Sequence, residues 1–442
     1  METQTPSGTV LLHGLEDRPP APEAAVAAVQ QVLAMAVGTV TPPLLLAGSL
    51  GFAPADTGHL VSVALLASAL GTLLQVRRRG PLGSGLLSVT GTSFSFVGPL
   101  QSAFQQGGFA LMTTSGLLAA PVQLGLAPFL PLLRRVFSPV VTGVVVLLIG
   151  LSLVPTAMFS VGARLGEHPV SVSAAVAGLV VAVSVLCQVV GPRWLRLGAI
   201  LAGIAAGCVA CGLLGALRLP DMAALPWFRF PQPLKWGFDF RLRTWVPFVF
   251  LYVVSLLEAM GDMTATARLS GVSTEGPEFW RRLRGGVLAD GLTSVASGLF
   301  GGLPNTTYAQ NNSVIQVTGV ASRHVGYWMA GFLALAGLCP VVAAWISALP
   351  GPVLGGLALM LFGMVAAAGL RLIASAGLDA RNMTLVGVSL GVGLGLAAAP
   401  EITASFPRLL RSLFESPITG GGLTALFLGL VLPRSPAPAA HD

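Results

Sequence analysis

Charge is what this sequence has least of. Asp, Glu, Lys and Arg together make up 9% of its 442 residues, against roughly a quarter in a soluble domain. A chain so poor in charge cannot clothe a water-facing globule, which excludes an ordinary soluble enzyme or binding module. Histidine is nearly missing: His13, His59, His168, His324 and His441 fall in tails or near loops, leaving no intramembrane imidazole to carry a proton. The four cysteines, Cys187, Cys208, Cys211 and Cys339, lie within or beside apolar stretches. Cys208 and Cys211 form a CxxC with no second pair and no nearby His, so they read as packing and not as a zinc or redox site. The chain has no HExxH, no GxSxG and no nucleophile with an acid/base set. No catalytic residue, metal site or cofactor is expected. Basic residues outnumber acidic ones, 24 to 17, yet they sit in short loops such as "VRRRG" at 76–80, "LRRVF" at 133–137 and "RRLRGG" at 281–286. Nucleic acid needs them along one groove, so it is not expected as a partner.

What is abundant is apolar. Hydrophobic residues make up 54% of the chain and the mean hydropathy is +0.82. Apolar stretches of spanning length, about 20 residues each, follow one another from residue 24 to residue 433. The expected fold is an all-α polytopic membrane protein. Breakers divide it into about fourteen segments, near 24–48, 58–75, 84–100, 108–132, 138–157, 169–190, 197–217, 245–266, 285–301, 304–318, 324–347, 352–373, 383–399 and 419–433. Residues 1–22 and 434–442 are polar tails; the first has no basic n-region and does not read as a secretory signal. The distribution of Lys and Arg favours both termini on the cytoplasmic side of a plasma (inner) membrane.

Two segments are too short and too polar for ordinary spans: "SGLLSVTGTSFSF" at 84–96 and "SGLFGGLPNTTYAQNN" at 297–312. Both begin Ser-Gly-Leu and reach a hydroxyl-hydroxyl-aromatic triplet, Thr92-Ser93-Phe94 and Thr306-Thr307-Tyr308. They are the third and tenth segments, equivalent places in two seven-segment halves. Seven is odd, so the halves run in opposite directions, a 7+7 inverted repeat. Paired interrupted segments of this kind point to a transporter binding site near the bilayer midplane. Gly85, Gly91, Gly301, Gly302 and Pro304 break the helices, and the residues after them suit short β-strands. Kinks with hydroxyls bonded back to their own helices are the alternative, but these need neither three amides nor a repeat.

Only three acidic residues, Glu258, Asp262 and Asp290, fall within apolar segments. Glu258 and Asp262 are four apart and share a helix face. Intramembrane carboxylates are rare and functional by default, and a close pair can exchange a proton; a structural set bonded to Thr, Ser or backbone is the alternative. No arginine or lysine is expected at the site, which argues against an inorganic anion. A carboxylate, two-way amides and aromatic rings suit a planar, neutral, N–H-rich heterocycle.

At these residues the chain resembles the nucleobase–ascorbate transporter family, the nucleobase–cation symporters of the second type. The resemblance covers nearly the whole chain and rests on "GTSFSF" at 91–96, "EAMGDMTATA" at 258–267, "GGVLADGL" at 285–292 and "PNTTYAQNNSVIQVTGVASR" at 304–323. It implies fourteen spans, a core domain (23–135 and 245–347) moving against a gate domain (136–218 and 348–433), an extracytoplasmic loop at 219–244, a homodimer, and proton-coupled nucleobase uptake. Glu258 would hold ring N–H groups, Gln310 would complete recognition, and Phe94 would stack on or flank the base. Ser93, Tyr308 and Asn311 would belong to the binding site, and Asp262, Asp290 and Gln31 to the network supporting site and proton. Gln310 resembles the xanthine/uric acid branch, where the uracil branch has Glu. Gln31 stands where purine members commonly have His, and Ser313 where they have Gly. A uracil symporter of the same family is the alternative, and an anion exchanger or channel on the same architecture a further one.

Overall fold

The computed structural model describes residues 3–4, 10–192, 195–196, 198–217 and 226–433. The expected C-terminal tail at 434–442 lies outside the described residues. The principal helices are α1 (Ala21–Leu50), α2 (Pro54–Val76), α3 (Val97–Ala119), α4 (Pro139–Val161), α5 (Val170–Val190), α6 (Ala199–Leu213), α7 (Leu242–Leu269) and α8 (Gly276–Leu299). They continue with α9 (Gln310–Thr318), α10 (Arg323–Leu338), α11 (Pro340–Ser347), α12 (Gly351–Ser375), α13 (Ala380–Ala398) and α14 (Pro417–Val431). Two short strands interrupt them, β1 (Thr90–Thr92) and β2 (Asn305–Thr307). Proline opens many of these helices, including α2, α4, α11 and α14, where its missing N–H costs nothing and its fixed φ suits the first turn.

Among the described residues, eight helices are long and apolar enough to cross a membrane, or up to nine if one bent pair counts as a span. That pair is α10 and α11, bent by 79° where a single span over 324–347 was expected. Pro340 has no N–H to continue the ladder, and Cys339 before it is extended at φ −96°, ψ 103°, as a residue preceding proline tends to be. The expected break between the third and fourth segments narrows to Gly107 and Gly108, which leave helical geometry inside α3.

The helices pack in two sets. One comprises α1, α2, α3, α7, α8, α10 and α11, around the strand pair; the other comprises α4, α5, α6, α12, α13 and α14. Contacts between the sets come mainly through α1 and α7. In the second set, α4 and α12 approach closely: a Cβ on Gly150 would lie 2.5 Å from the Ala366 backbone N, a closeness that small residues permit between helices in lipid.

The N-terminal segment, read from sequence as a tail with little to pack, runs along the turn after α9. Leu12 N donates to Gly319 O at 2.8 Å, Ala321 N to His13 O at 2.9 Å and Arg323 N to Leu15 O at 3.0 Å. Arg323 also pairs with Glu16 at 2.5 Å.

Candidate substrate site between the strand pair and α7

β1 and β2 pair antiparallel with Thr90 opposite Thr307, Gly91 opposite Thr306 and Thr92 opposite Asn305. Each strand follows a left-handed glycine, Gly85 at φ 68° and Gly301 at φ 76°, a conformation that side chains with a Cβ resist. The ladder extends one bond each way, Ser93 N to Pro304 O and Tyr308 N to Val89 O, both 2.9 Å. Neighbouring helices bond the outer edges: Ser68 Oγ donates to Thr90 O at 2.5 Å and Ser294 Oγ to Asn305 O at 3.2 Å. In this way non-helical backbone is satisfied inside the protein, the condition for its survival at membrane depth. Gly91 has no room for a side chain, since a Cβ there would lie 2.6 Å from both Thr39 Oγ1 and the Tyr308 ring.

Asp290 lies behind the strands and is fully buried. Its Oδ1 accepts from Gln75 Nε2 at 2.8 Å and from Thr90 Oγ1 at 3.4 Å. Gln75 Nε2 also reaches Gly286 O at 2.9 Å, and its Oε1 accepts from Ser84 Oγ at 2.8 Å. The network ties α2 and α8 to β1. Gln75 was missed from sequence, although a lone amide inside the apolar run of α2 was a usable signal.

Glu258 and Asp262 line a cavity of about 810 Å³. Its walls are α7 and α9 on one side and α4 and α12 on the other; Asn312, Ser313 and Gln316 of α9, Thr142 of α4 and Arg371 of α12 all contribute. The α7 face runs through Leu257, Glu258, Gly261, Asp262, Ala265 and Arg268, a helical spacing that puts every member on one side. Asn312 links α7 to α9, accepting from Thr266 Oγ1 at 2.7 Å and donating to Asp262 O at 3.4 Å.

The other residues expected to bind substrate do not line this cavity. Gln310 opens α9, half-buried, next to the cavity-lining Ala309. Phe94 packs edge-on to Phe362 of α12, ring centroids 5.6 Å apart. Tyr308 folds back over β1, its hydroxyl donating to Thr92 O at 2.8 Å, and Asn311 Nδ2 donates to Leu87 O at 2.5 Å. Several buried polar atoms make no hydrogen bond within the protein: both amide atoms of Gln31, Thr92 Oγ1, Ser93 Oγ, Thr306 Oγ1, Asn311 Oδ1 and Glu258 Oε2. Each such atom costs about 1–3 kcal/mol unless a polar partner meets it. They belong to α1, α7, the two strands and the residues just after them, and α1 packs on both β1 and α9. Such a set can grip a small ligand with several donors and acceptors.

No arginine or lysine was expected at the site, yet the cavity that Glu258 and Asp262 line also carries two arginines. Arg268 and Arg371 are both exposed at its margin. Arg268 was legible as the continuation of the Glu258–Asp262 face, and Arg371 as the one charged residue in the apolar run of α12.

The described residues form a helical membrane fold with a strand pair between two broken segments. The murine Solute Carrier 26 anion transporter Slc26a9 in its inward-facing state matches it with a TM-score of 0.63, over 94% of this chain and 69% of that one, at 12% identity. At that identity the likeness shows fold alone. Residues 22–402 match a family model described as a permease family. The chain is 42% identical to xanthine permease XanQ of Escherichia coli (strain K12), covering 97% of this chain and 95% of that protein. It is 38% identical to xanthine permease XanP of the same organism, covering 96% and 95%. The chain therefore belongs to this permease family, the nucleobase–ascorbate transporters, and is an integral membrane transporter.

Proposed function

We propose that the protein imports an oxopurine, xanthine or uric acid, across the plasma membrane by proton symport with alternating access. The observation that carries this reading is the Glu258–Asp262 face of α7 and the amides of α9, which together form one wall of a single cavity, beside buried polar atoms that a ligand with several donors and acceptors would satisfy. The names of the two xanthine permeases support the same substrate class. Glu258 accepts ring N–H groups, Gln310 answers the N–H and C=O groups of the purine edge, and Phe94 flanks the ring. Ser93, Tyr308 and Asn311 shape the pocket. Asp262 shares the proton with Glu258, while Asp290 and Gln31 hold the surrounding network.

The two helix sets are the proposed core and gate, with α1 and α7 at the surface between them. The antiparallel pairing of β1 with β2 supports a fourteen-segment, 7+7 inverted arrangement, since a two-fold axis through that pair would exchange the strands. Basic clusters at 77–79 and 281–284 support a cytoplasmic mouth for the cavity and cytoplasmic termini. The homodimer rests on the family resemblance.

The test is counterflow of labelled xanthine in liposomes, competed by urate, uracil, guanine and hypoxanthine. Xanthine or urate is expected to outcompete uracil, and an inward proton gradient to drive uptake that a protonophore collapses. Gln310→Glu should weaken purines by about ten- to a hundredfold, because an ionised carboxylate only accepts. Uracil binding tighter than xanthine would move the chain to the pyrimidine branch. Uptake driven by sodium and not by protons would overturn the coupling.

A further inference from the structure

The cavity is electrically divided along its length. Its inner part carries two carboxyls, Glu258 and Asp262, and its margin two guanidiniums, Arg268 and Arg371. Arg268 is ten residues beyond Glu258 on the same helix, a rise of about 15 Å. A purine is about half that length, so one held against Glu258 stops short of the Arg268 helix position, which leaves room for a second station at the margin. Arg268 belongs to α7 in one helix set and Arg371 to α12 in the other, so the pair straddles the boundary between them. Neither guanidinium makes a salt bridge or hydrogen bond with the described residues, so both are available to a ligand in the cavity. Between the two charges and the carboxyls lie Asn312, Ser313 and Gln316, neutral groups that donate and accept.

The geometry points to a second substrate station at this margin, where Arg268 and Arg371 receive the anionic form of the oxopurine. This rests on the oxopurine reading above. A neutral base is served by the carboxylate and amides of the inner station. A base that has lost a ring proton is repelled by an ionised carboxyl there and is attracted by two unpaired guanidiniums at the margin, whose planar forks suit a delocalised oxyanion. The margin thus selects on ligand charge and the interior on hydrogen-bond pattern. Because one guanidinium comes from each set, a bound anion also bridges them and favours the conformation in which they lie close together.

The experiment measures equilibrium binding of urate and of xanthine to the purified full-length protein and to Arg268→Gln, Arg371→Gln and the double variant. Mildly acidic buffer keeps urate ionised and xanthine neutral. The double variant is expected to lose urate affinity about tenfold more than xanthine affinity. Added potassium chloride should weaken urate binding to the wild type and leave the double variant nearly insensitive. Arg→Lys at both positions should recover part of the selectivity, which a purely structural role would not produce. Equal losses for both bases, or no loss for either, would overturn the second station while leaving the oxopurine reading intact. A wild-type protein that binds neither base would instead overturn that reading, and the station with it.

Discussion

The strand-pair region and the outer helices of the second set deal with the membrane in opposite ways. Within its most apolar stretch, α2, which packs on β1, has 72% of residues buried in the protein, while α5 has 28% and α13 has 22%. Around β1 and β2 the buried residues are hydroxyls, amides and a carboxylate: Thr90, Thr92, Asn305, Thr306, Thr307, Asn311 and Asp290. On the outer helices the apolar side chains point outward, Val189 at 68% and Leu186 at 62% exposure. Lipid solvates those valines and leucines as well as protein does, so their contribution is small and permissive. The strand region has no such latitude. Each polar group needs a partner of fixed position, and an error there costs the full desolvation of the group left behind.

The sharpest break in that contrast is Gly91→Ala. With 2.6 Å to Thr39 Oγ1 and to the Tyr308 ring, the added methyl forces the strand pair or Tyr308 to move, a cost of about 1–3 kcal/mol for overpacking. Transport should be lost and the melting temperature in detergent should fall. A fully active Gly91→Ala protein would mean that the strand pair is not the rigid element described. Next comes Gln75→Ala, which strips Asp290 of its shortest bond and removes the side-chain bonds to Gly286 O and from Ser84 Oγ. A loss of about 1–3 kcal/mol is expected, read as a lower melting temperature with weakened transport. The smallest effect is at the surface. The Arg78 guanidinium, hydrogen-bonded to Glu278, holds that carboxyl below its usual range. Its stabilisation is therefore present above the ordinary glutamate pKa and fades as pH falls through the lowered value. Because both side chains are exposed, Glu278→Gln should barely move the melting temperature at neutral pH, a result checked by thermal shift across a pH series.

How much of this was readable beforehand divides along the same line. The broken pair, its glycines and the face of Glu258 and Asp262 stand out in sequence because hydrocarbon makes every polar residue conspicuous. Tyr308 and Asn311 were expected at the site, but their bonds to Thr92 O and Leu87 O were not readable, because those acceptors are backbone atoms more than 200 residues away. The N-terminal segment was misjudged for a similar reason. Its docking on Gly319–Arg323 is made largely of main-chain bonds, to which side-chain composition is blind. Neither Arg268 nor Arg371 was singled out from the sequence; that both line one cavity depends on α7 facing α12, a tertiary fact.

The account stands most directly on Glu258, the cavity carboxyl whose Oε2 is a buried atom without a partner in the protein. Equilibrium binding of labelled xanthine to purified wild-type and Glu258→Gln proteins tests it, with elution profile and melting temperature recorded for both. The prediction is saturable binding to the wild type and no measurable binding to a Glu258→Gln protein that is otherwise folded and elutes identically. Wild-type affinity in that variant would contradict it.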